Sequence, residues 1–268
     1  MDYGRRLIDA ALDAAITLFD TADIYGFRGD GGFGDAESLL GDILAGSSGL
    51  RDRMVIATKG GIQPGVPYDS SRDYLMTALD ASLRRLRVDH VDLYQIHRPD
   101  VLAHPQEVAR ALEEMVASGK VRAIGVSNYT PAQTRALLDS LSIPLASHQP
   151  EFSPLHLEPV ENGLFDITMT HDIAVLAWSP LAGGRIATTP DERSARVAAT
   201  LDAVATAHGV SRAAATYSWI MAHPACAIPI VGSQKVERIA QLTDAYKVVW
   251  TREAWYDVLV ASRGERLP

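Results

Sequence analysis

The sequence is short of cysteine, of long hydrophobic runs and of positive charge. Its single cysteine, Cys226, cannot form a disulfide within the chain, which is typical of a protein from a reducing compartment. No apolar run approaches the roughly 18 residues that span a membrane, and no signal-peptide pattern precedes the first helix. A formal net charge of −8 disfavours nucleic acid or an anionic membrane as the main partner. We therefore expect a cytoplasmic protein that binds neither.

The composition is typical of one globular domain. With 47% hydrophobic and 22% charged residues, the 268-residue chain can bury a large core. Neither a linker nor a shift in composition marks an internal boundary. A single α/β barrel of this length is common, and we expect one domain over residues 1–268.

Short apolar runs alternate with amphipathic segments along the chain. The periodicity predicts a first helix over 2–16 and a late helix over 235–245. Strands that alternate with helices favour parallel βαβ units closed into a barrel over a doubly wound sheet. In such barrels the chemistry lies at the carboxyl ends of the strands. Seven strands are predicted, over 18–20, 54–58, 91–97, 121–126, 145–149, 173–178 and 227–231.

Functional residue types stand at the carboxyl ends of these strands. On its position alone, Lys59 is better explained as a solvated lysine at a strand end. A lone histidine such as His97 is more often structural than catalytic. Their joint placement is much harder to obtain by chance than any single match, and it favours one shared site. The residues at these ends are Asp20, Lys59, His97, Asn128, Gln149, Trp178 and Gly232.

The stretch Gly29–Gly34 matches the dinucleotide fingerprint GxGxxG, but a Rossmann interpretation does not fit it. The glycines come too far after the preceding strand for a tight βα turn. The next strand ends in Lys59, where a Rossmann unit needs an acid for the ribose. We interpret the stretch as a mobile loop over the rim of the barrel.

Several motifs together resemble the bacterial-type aldo-keto reductases, and the resemblance covers essentially the whole chain after Ile16. It implies a (β/α)8 TIM barrel of the NADP-dependent oxidoreductase type. The N-terminal hairpin and first barrel strand of that family are not found, because the chain begins with a helix. We expect an incomplete barrel of seven strands, and a start that is internal to the natural reading frame or a truncated copy. The motifs are FDTADIYG, ATKGG, DLYQIHRPD, GKVRAIGVSN, WSPLAGGR and IPIVGSQKVERI.

The resemblance implies a catalytic tetrad in which Tyr25 is the general acid, Lys59 and Asp20 tune it, and His97 orients the substrate carbonyl. A free phenol, with a pKa of about 10, is a poor match to neutral pH for a group that both gives and takes a proton. A lysine ammonium about 4 Å away favours a phenolate by about 4 kcal/mol at an effective dielectric constant of about 20.

Metal binding is the competing use of His97. No set of histidines and carboxylates at matching strand ends supports a metal site, and Lys59 would repel a cation. We therefore expect no metal.

The same resemblance implies NADP, as NADPH, for the cofactor. It assigns the nicotinamide carboxamide to Ser127, Asn128 and Gln149, and the stacked ring to Trp178, whose alternative role is that of a core aromatic. Glycine backbone and a cation are available for the pyrophosphate. Gly232 departs from family members that have a lysine or arginine before the serine. The remaining implied contacts are Ser179, Leu181, Gly183, Gly184 and Arg185 for the pyrophosphate, and Gly232, Ser233, Lys235 and Arg238 for the 2′-phosphate.

The predicted function is transfer of a hydride from NADPH to the carbonyl of a small aldehyde or ketone, with alcohol oxidation as the reverse. The alternative is a cofactor-binding or regulatory homologue with weak or no turnover, which the missing strand favours. A barrel lyase or hydrolase is a third option, but the sequence has neither the metal cluster nor the Schiff-base features it needs. The loops expected to face the substrate include Phe27, Gly29–Gly34, Arg98 and 152–157.

Overall fold

Strand and helix alternate along the first of two units of the chain, which ends at His148. The computed structural model describes residues 2–268. A short 3-10 helix, Arg51–Arg53, precedes the second strand. The strands and α-helices are α1 (Asp2–Asp13), β1 (Leu18–Asp20), α2 (Asp35–Ala45), β2 (Val55–Gly60), α3 (Arg72–Leu86), β3 (Val91–Ile96), α4 (Pro105–Ala117), β4 (Val121–Ser127), α5 (Pro131–Leu138) and β5 (Leu145–Gln149).

The strands of this unit lie side by side in chain order. Strands β1 to β4 pair in parallel, with Asp20 opposite Ala57 and Lys59 opposite Gln95. The carboxyl ends of parallel strands meet at one edge of a sheet. The register therefore brings the residues at the ends of β1, β2, β3 and β4 to the same edge.

Local signals in the sequence explain where the helices begin. The Ser71 side chain caps α3 by accepting a hydrogen bond from the backbone N–H of Tyr74. Thr130 and Gln133 form a reciprocal capping box at the start of α5. The first helix is shorter than predicted and ends at Asp13, because Ala15 has a left-handed φ of 58°.

The second unit begins at Gln149 and contains the last two of the seven predicted strands. Strand β6 pairs in parallel with β7, with Leu176 opposite Ile228. Two 3-10 helices cover Ala182–Gly184 and Leu242–Lys247. The other elements are α6 (Glu158–Glu161), α7 (Leu164–Thr170), β6 (Ala174–Ala177), α8 (Arg185–Thr188), α9 (Glu192–His208), α10 (Arg212–Met221), β7 (Ile228–Pro229), α11 (Val236–Ala240) and α12 (Arg252–Arg263).

Two predicted boundaries in this unit are wrong. The last strand is reduced to Ile228–Pro229, and Pro229 has no N–H to donate to a sheet. The late helix begins at Val236 and ends at Ala240, because Gln241 leaves the helical conformation at φ −92°, ψ 0°. The short helices α6 and α7 were not predicted, since each has too few residues to display a hydrophobic period.

Aromatic rings form the centre of the core of the second unit. Trp219 is fully buried and stacks on Trp255, with ring centroids 4.8 Å apart. Each indole N–H donates to the backbone carbonyl of the other tryptophan, at 3.0 and 3.1 Å. Phe152 also stacks against Trp219, with ring centroids 5.5 Å apart. These paired hydrogen bonds satisfy the polar atoms of two large rings inside an apolar core.

The close approach of α2 to α3 generates a stability prediction. A Cβ at Gly41 would lie 2.0 Å from the backbone carbonyl oxygen of Arg85, so Gly41→Ala must push the helices apart. Overpacking of this kind costs about 1–3 kcal/mol, whereas alanine gains only about 1 kcal/mol of helix propensity. We expect Gly41→Ala to lower the free energy of unfolding, measured by urea titration.

Gly4→Ala is the matched control. Its Cβ would meet only the terminal Cδ1 of Ile43, at 2.9 Å, and that methyl group can rotate away. We expect it to be neutral or slightly stabilising. Equal effects of the two substitutions would contradict the close approach of the helices.

Candidate active site

Lys59 is buried near the end of β2 and is held by an acid and a carbonyl group. Its ammonium lies 2.5 Å from Asp20 Oδ2 and donates to the backbone carbonyl of Thr21 at 2.8 Å. The side chain of Lys59 is 0% exposed and that of Asp20 6%. The interpretation of Lys59 as a solvated lysine is therefore wrong. A buried ammonium keeps its charge only when such partners replace water.

Gln95, which the sequence analysis did not single out, holds the other oxygen of Asp20. Its side-chain amide donates to Asp20 Oδ1 at 3.4 Å and accepts from the hydroxyl of Ser147 at 3.2 Å. A Cβ at Gly125 would lie 2.1 Å from that hydroxyl oxygen, so only glycine leaves room for the contact. The available signal was an amide residue flanked by Tyr94 and Ile96 near the end of the strand Val91–Ile96.

Tyr25 lies beside the Lys59 ammonium and the His97 ring, in the loop after β1. The ammonium is 5.0 Å from the centroid of its ring. The His97 ring meets it edge-on, with centroids 5.6 Å apart and an interplanar angle of 82°. Tyr25 is 38% exposed. The structure thus brings the four residues of the predicted tetrad together, with the phenol open to a ligand.

Backbone contacts fix His97, which directly follows β3. Its N–H donates to the carbonyl of Gly60 at 2.8 Å, and its own carbonyl accepts from the Asn128 side chain at 3.1 Å. Burial, with smaller contributions from the charges of Lys59 and Arg98, lowers the pKa of His97 to about 3. The imidazole is therefore neutral at physiological pH and has one N–H to donate.

A second buried acid, Asp23, lies two residues before Tyr25 and was not predicted. Its N–H donates to the carbonyl of Lys59 at 3.0 Å, which continues the pairing beyond β1. Within residues 2–268 the buried Tyr94 hydroxyl has no hydrogen-bond partner, and a contact with the backbone N–H of Ile24 offsets only part of the desolvation of the Asp23 carboxyl group. Burial, reinforced by the nearby charge of Glu37, raises the pKa of Asp23 to about 7. Asp23 therefore changes between its protonated and ionised forms near neutral pH.

The residues predicted for the nicotinamide carboxamide are divided between the two units. Ser127 is the last residue of β4, and Asn128 follows it. The side-chain amide of Asn128 donates to the Ser127 hydroxyl at 2.8 Å. Asn128 has a left-handed φ of 61°, which asparagine tolerates better than most residues. Gln149 is buried and is the last residue of β5.

In the second unit, a tight turn follows Trp178 after β6. Trp178 is half-buried, and its backbone N–H donates to the backbone carbonyl of Pro150 at 3.0 Å. The Ser179 hydroxyl accepts from the N–H of Gly183 at 3.0 Å. Gly183 and Gly184 both have positive φ, and no atom lies within 4 Å of where their Cβ atoms would be. The turn therefore presents bare backbone on one side, and Leu181 lies within it.

Three of the residues predicted to contact phosphate groups are basic side chains of the second unit. Arg185 is exposed and pairs with Asp191 at 2.8 Å. Lys235 immediately precedes α11 and Arg238 lies within it, and both side chains are exposed. The Ser233 hydroxyl accepts a hydrogen bond from the backbone N–H of Lys235 at 3.3 Å. Ser233 lies three residues before the first residue of α11, and Gly232 is exposed beside it.

The described residues offer neither a metal cluster nor a membrane-spanning helix. Among residues 2–268, no group of three or more histidine, cysteine, aspartate or glutamate side chains is placed to hold a metal ion. Over the same range, no helix has the length and apolar character needed to cross a membrane.

Comparison with known proteins identifies clear relatives. The family model described as the Aldo/keto reductase family matches residues 1–258. A protein named 6-dehydroglucose reductase from Novosphingobium aromaticivorans is 59% identical over 98% of this chain and 86% of its own length. A protein of the same name from Agrobacterium fabrum is 35% identical over 97% of this chain and 88% of its own length.

Solved structures are similar over nearly the whole chain. The glycerol dehydrogenase of Gluconobacter oxydans superposes with a TM-score of 0.85 at 27% identity, over 100% of this chain and 88% of that one. A thermostable aldo-keto reductase bound to the inhibitor epalrestat superposes with a TM-score of 0.80 at 26% identity. The match covers 95% of this chain and 85% of that one.

The lowered pKa of His97 generates a prediction that nuclear magnetic resonance can test. We expect the imidazole carbon signal of His97, assigned with His97→Asn, to stay unchanged as the pH falls from 7 to about 4.5. The unfolded chain takes up this proton near the ordinary pKa of 6.5. The folded protein therefore loses stability as the pH falls from 6.5 towards 3. A His97 signal that titrates near pH 6.5 would contradict the buried, neutral imidazole.

Proposed function

The chain belongs to the aldo/keto reductase family, and on this premise we propose that it reduces the carbonyl of a small aldehyde or ketone with NADPH. The family and the (β/α)8 fold, of which residues 2–268 supply seven strands, follow from the likenesses above. The observation that carries the proposal is the contact of an exposed phenol with a buried, charged Lys59 and a neutral His97. We further propose that residues 1–268 act as one catalytic domain.

Groups in each of the two units suit a nicotinamide cofactor with an adenosine 2′-phosphate. Trp178 offers a half-buried aromatic face, and the open turn around Gly183 and Gly184 admits a phosphate close to the backbone. Arg185, Lys235 and Arg238 supply exposed positive charge in a chain whose net charge is −8. Ser127, Asn128 and Gln149 provide amide and hydroxyl groups that suit a carboxamide. We assign NADPH to these residues.

When bound, NADPH supplies the hydride that adds to the carbonyl carbon. Tyr25 donates its phenolic proton to the carbonyl oxygen, which becomes the hydroxyl of the product alcohol, and the resulting phenolate then takes up a proton from solvent. In the direction of alcohol oxidation the phenolate takes the proton back. Tyr25 is 38% exposed, which suits a residue that exchanges protons with a ligand and with solvent.

Lys59 stabilises the phenolate that this proton transfer leaves behind. A unit charge 5.0 Å from the ring centroid stabilises a negative charge by about 3 kcal/mol at an effective dielectric constant of about 20. Asp20 and the carbonyl of Thr21 keep the ammonium charged and oriented. The electrostatic effect has the size expected of one preorganised group in an active site.

His97 donates a hydrogen bond to the same carbonyl oxygen from its neutral ring. Its lowered pKa means that it places and polarises the oxygen without competing as an acid. The hydrogen bonds of the His97 backbone with Gly60 and Asn128 fix the position from which the imidazole ring projects.

We propose a sugar aldehyde as the substrate, with 6-dehydroglucose as the first compound to test. A relative of that name is 59% identical over almost the whole chain, and a second one is 35% identical. Both matches span 97% or more of this chain, so they include the loops expected to face the substrate.

Substitution of Tyr25 tests the proposal. With 6-dehydroglucose, we expect NADPH oxidation, followed at the nicotinamide absorbance band, to fall by at least about a hundredfold in Tyr25→Phe, because the proton donor is lost. Quenching of tryptophan fluorescence should show that NADPH still binds, and more tightly than NADH. The control Tyr3→Phe removes an exposed phenol from α1 and should keep full activity.

Two outcomes would contradict the proposal. Binding of NADPH without turnover on a panel of sugar and aromatic aldehydes would favour a regulatory homologue. Equal activity of wild type and Tyr25→Phe would remove the phenol from the mechanism.

A further inference from the structure

Glu37 is a fully buried acid in the first turn of α2, outside the tetrad. Its Oε1 accepts from the Thr58 hydroxyl at 2.5 Å, and its Oε2 accepts from Arg85 Nε at 2.7 Å. Thr58 is also fully buried. A buried ion pair contributes little to stability compared with apolar side chains of the same volume. The arrangement therefore suggests a role in fixing position.

Two of the three elements that meet at Glu37, β2 and α2, carry or contact a catalytic residue. Thr58 directly precedes Lys59 on β2. The N–H of Ala36, one residue before Glu37, donates to the carbonyl of Tyr25 at 3.2 Å. The carboxylate thus lies between the strand that carries the ammonium and the helix that holds the loop of the phenol.

Arg85, on α3, braces the far end of the same loop. Its guanidinium lies 5.7 Å from the centroid of the Phe33 ring. A Cβ at Gly34 would be 2.3 Å from its Cδ atom, so the side chain runs directly against the loop backbone. Phe33 in turn meets Phe27 edge-to-face, with centroids 6.4 Å apart. Glu37 therefore orients a cation that supports the segment from Tyr25 to α2.

We propose that Glu37 is a positioning residue, which fixes Tyr25 relative to Lys59 through its hydrogen bonds to Thr58 and Arg85. The proposal rests on the proposed function, because it concerns the spacing of phenol and ammonium during carbonyl reduction. Small displacements of reacting groups lower the rate far more than they lower substrate affinity. Loss of the carboxylate contacts should therefore change kcat and leave binding almost unchanged.

The test compares Thr58→Val, which removes the hydroxyl but keeps the shape, with Thr58→Ser, which keeps the hydroxyl. We expect kcat for 6-dehydroglucose to fall about tenfold in Thr58→Val, with the KM of the substrate and the Kd of NADPH within about twofold of wild type. Thr58→Ser should recover most of the kcat. Thr77→Val is the matched surface control, because that exposed hydroxyl bonds only to its own helix, and its kcat should equal that of wild type.

Glu37→Gln provides a second variant if Thr58→Val folds poorly, and it should show the same split between kcat and KM. Wild-type kcat in Thr58→Val or Glu37→Gln would overturn the proposal. So would equal losses in Thr58→Val and Thr58→Ser, or a loss that only follows the unfolded fraction measured by circular dichroism.

A readout without turnover separates this proposal from the proposed function. The ring-carbon signal of Tyr25 in protein labelled at tyrosine Cζ, assigned with Tyr25→Phe, reports the electrostatic surroundings of the phenol. We expect it to move in Thr58→Val and return in Thr58→Ser, even if wild type reduces no aldehyde. An unmoved signal in Thr58→Val would overturn the positioning role on its own.

Discussion

The ion pair between Lys59 and Asp20 is the interaction on which the site depends. An ammonium with no exposed surface retains its charge only if fixed oxygen atoms replace its water, and here a carboxylate and the carbonyl of Thr21 do so. Removing one partner of such a pair costs about 3–5 kcal/mol, because the other charge stays buried. The pair therefore ties the ends of β1 and β2 together and holds a positive charge beside Tyr25.

Close packing around this pair requires glycine at several positions. At Gly60 a Cβ would lie 2.1 Å from the Tyr94 hydroxyl, and at Gly26 it would lie 2.7 Å from the Asp35 side chain. Gly26 also has a φ of 99°, which favours glycine. Gly125 likewise leaves room for the Ser147 hydroxyl, which donates to the Gln95 amide that holds Asp20. These glycines therefore allow close packing at the ends of the strands.

The sequence predicted the strands and the residues at their ends better than it predicted the polar residues beneath them. Asp20, Lys59 and His97 follow apolar runs, and parallel strands bring such positions to one edge. Glu37 and Asp23 carried no comparable signal, because an acid in the first turn of a helix or in a loop is usually solvated. Only tertiary contacts reveal their burial. Helix Val236–Ala240 was overestimated because its apolar period continues past the break at Gln241.

The most direct test of the account is the activity of Lys59→Met, which removes the charge but keeps an unbranched side chain. We expect kcat for reduction of 6-dehydroglucose by NADPH to fall roughly a hundredfold, as expected for a loss of about 3 kcal/mol of phenolate stabilisation. The Kd of NADPH, measured by fluorescence on protein shown to be folded, should stay within about threefold of wild type. A folded Lys59→Met protein with wild-type kcat would contradict the claim that the buried ammonium activates Tyr25.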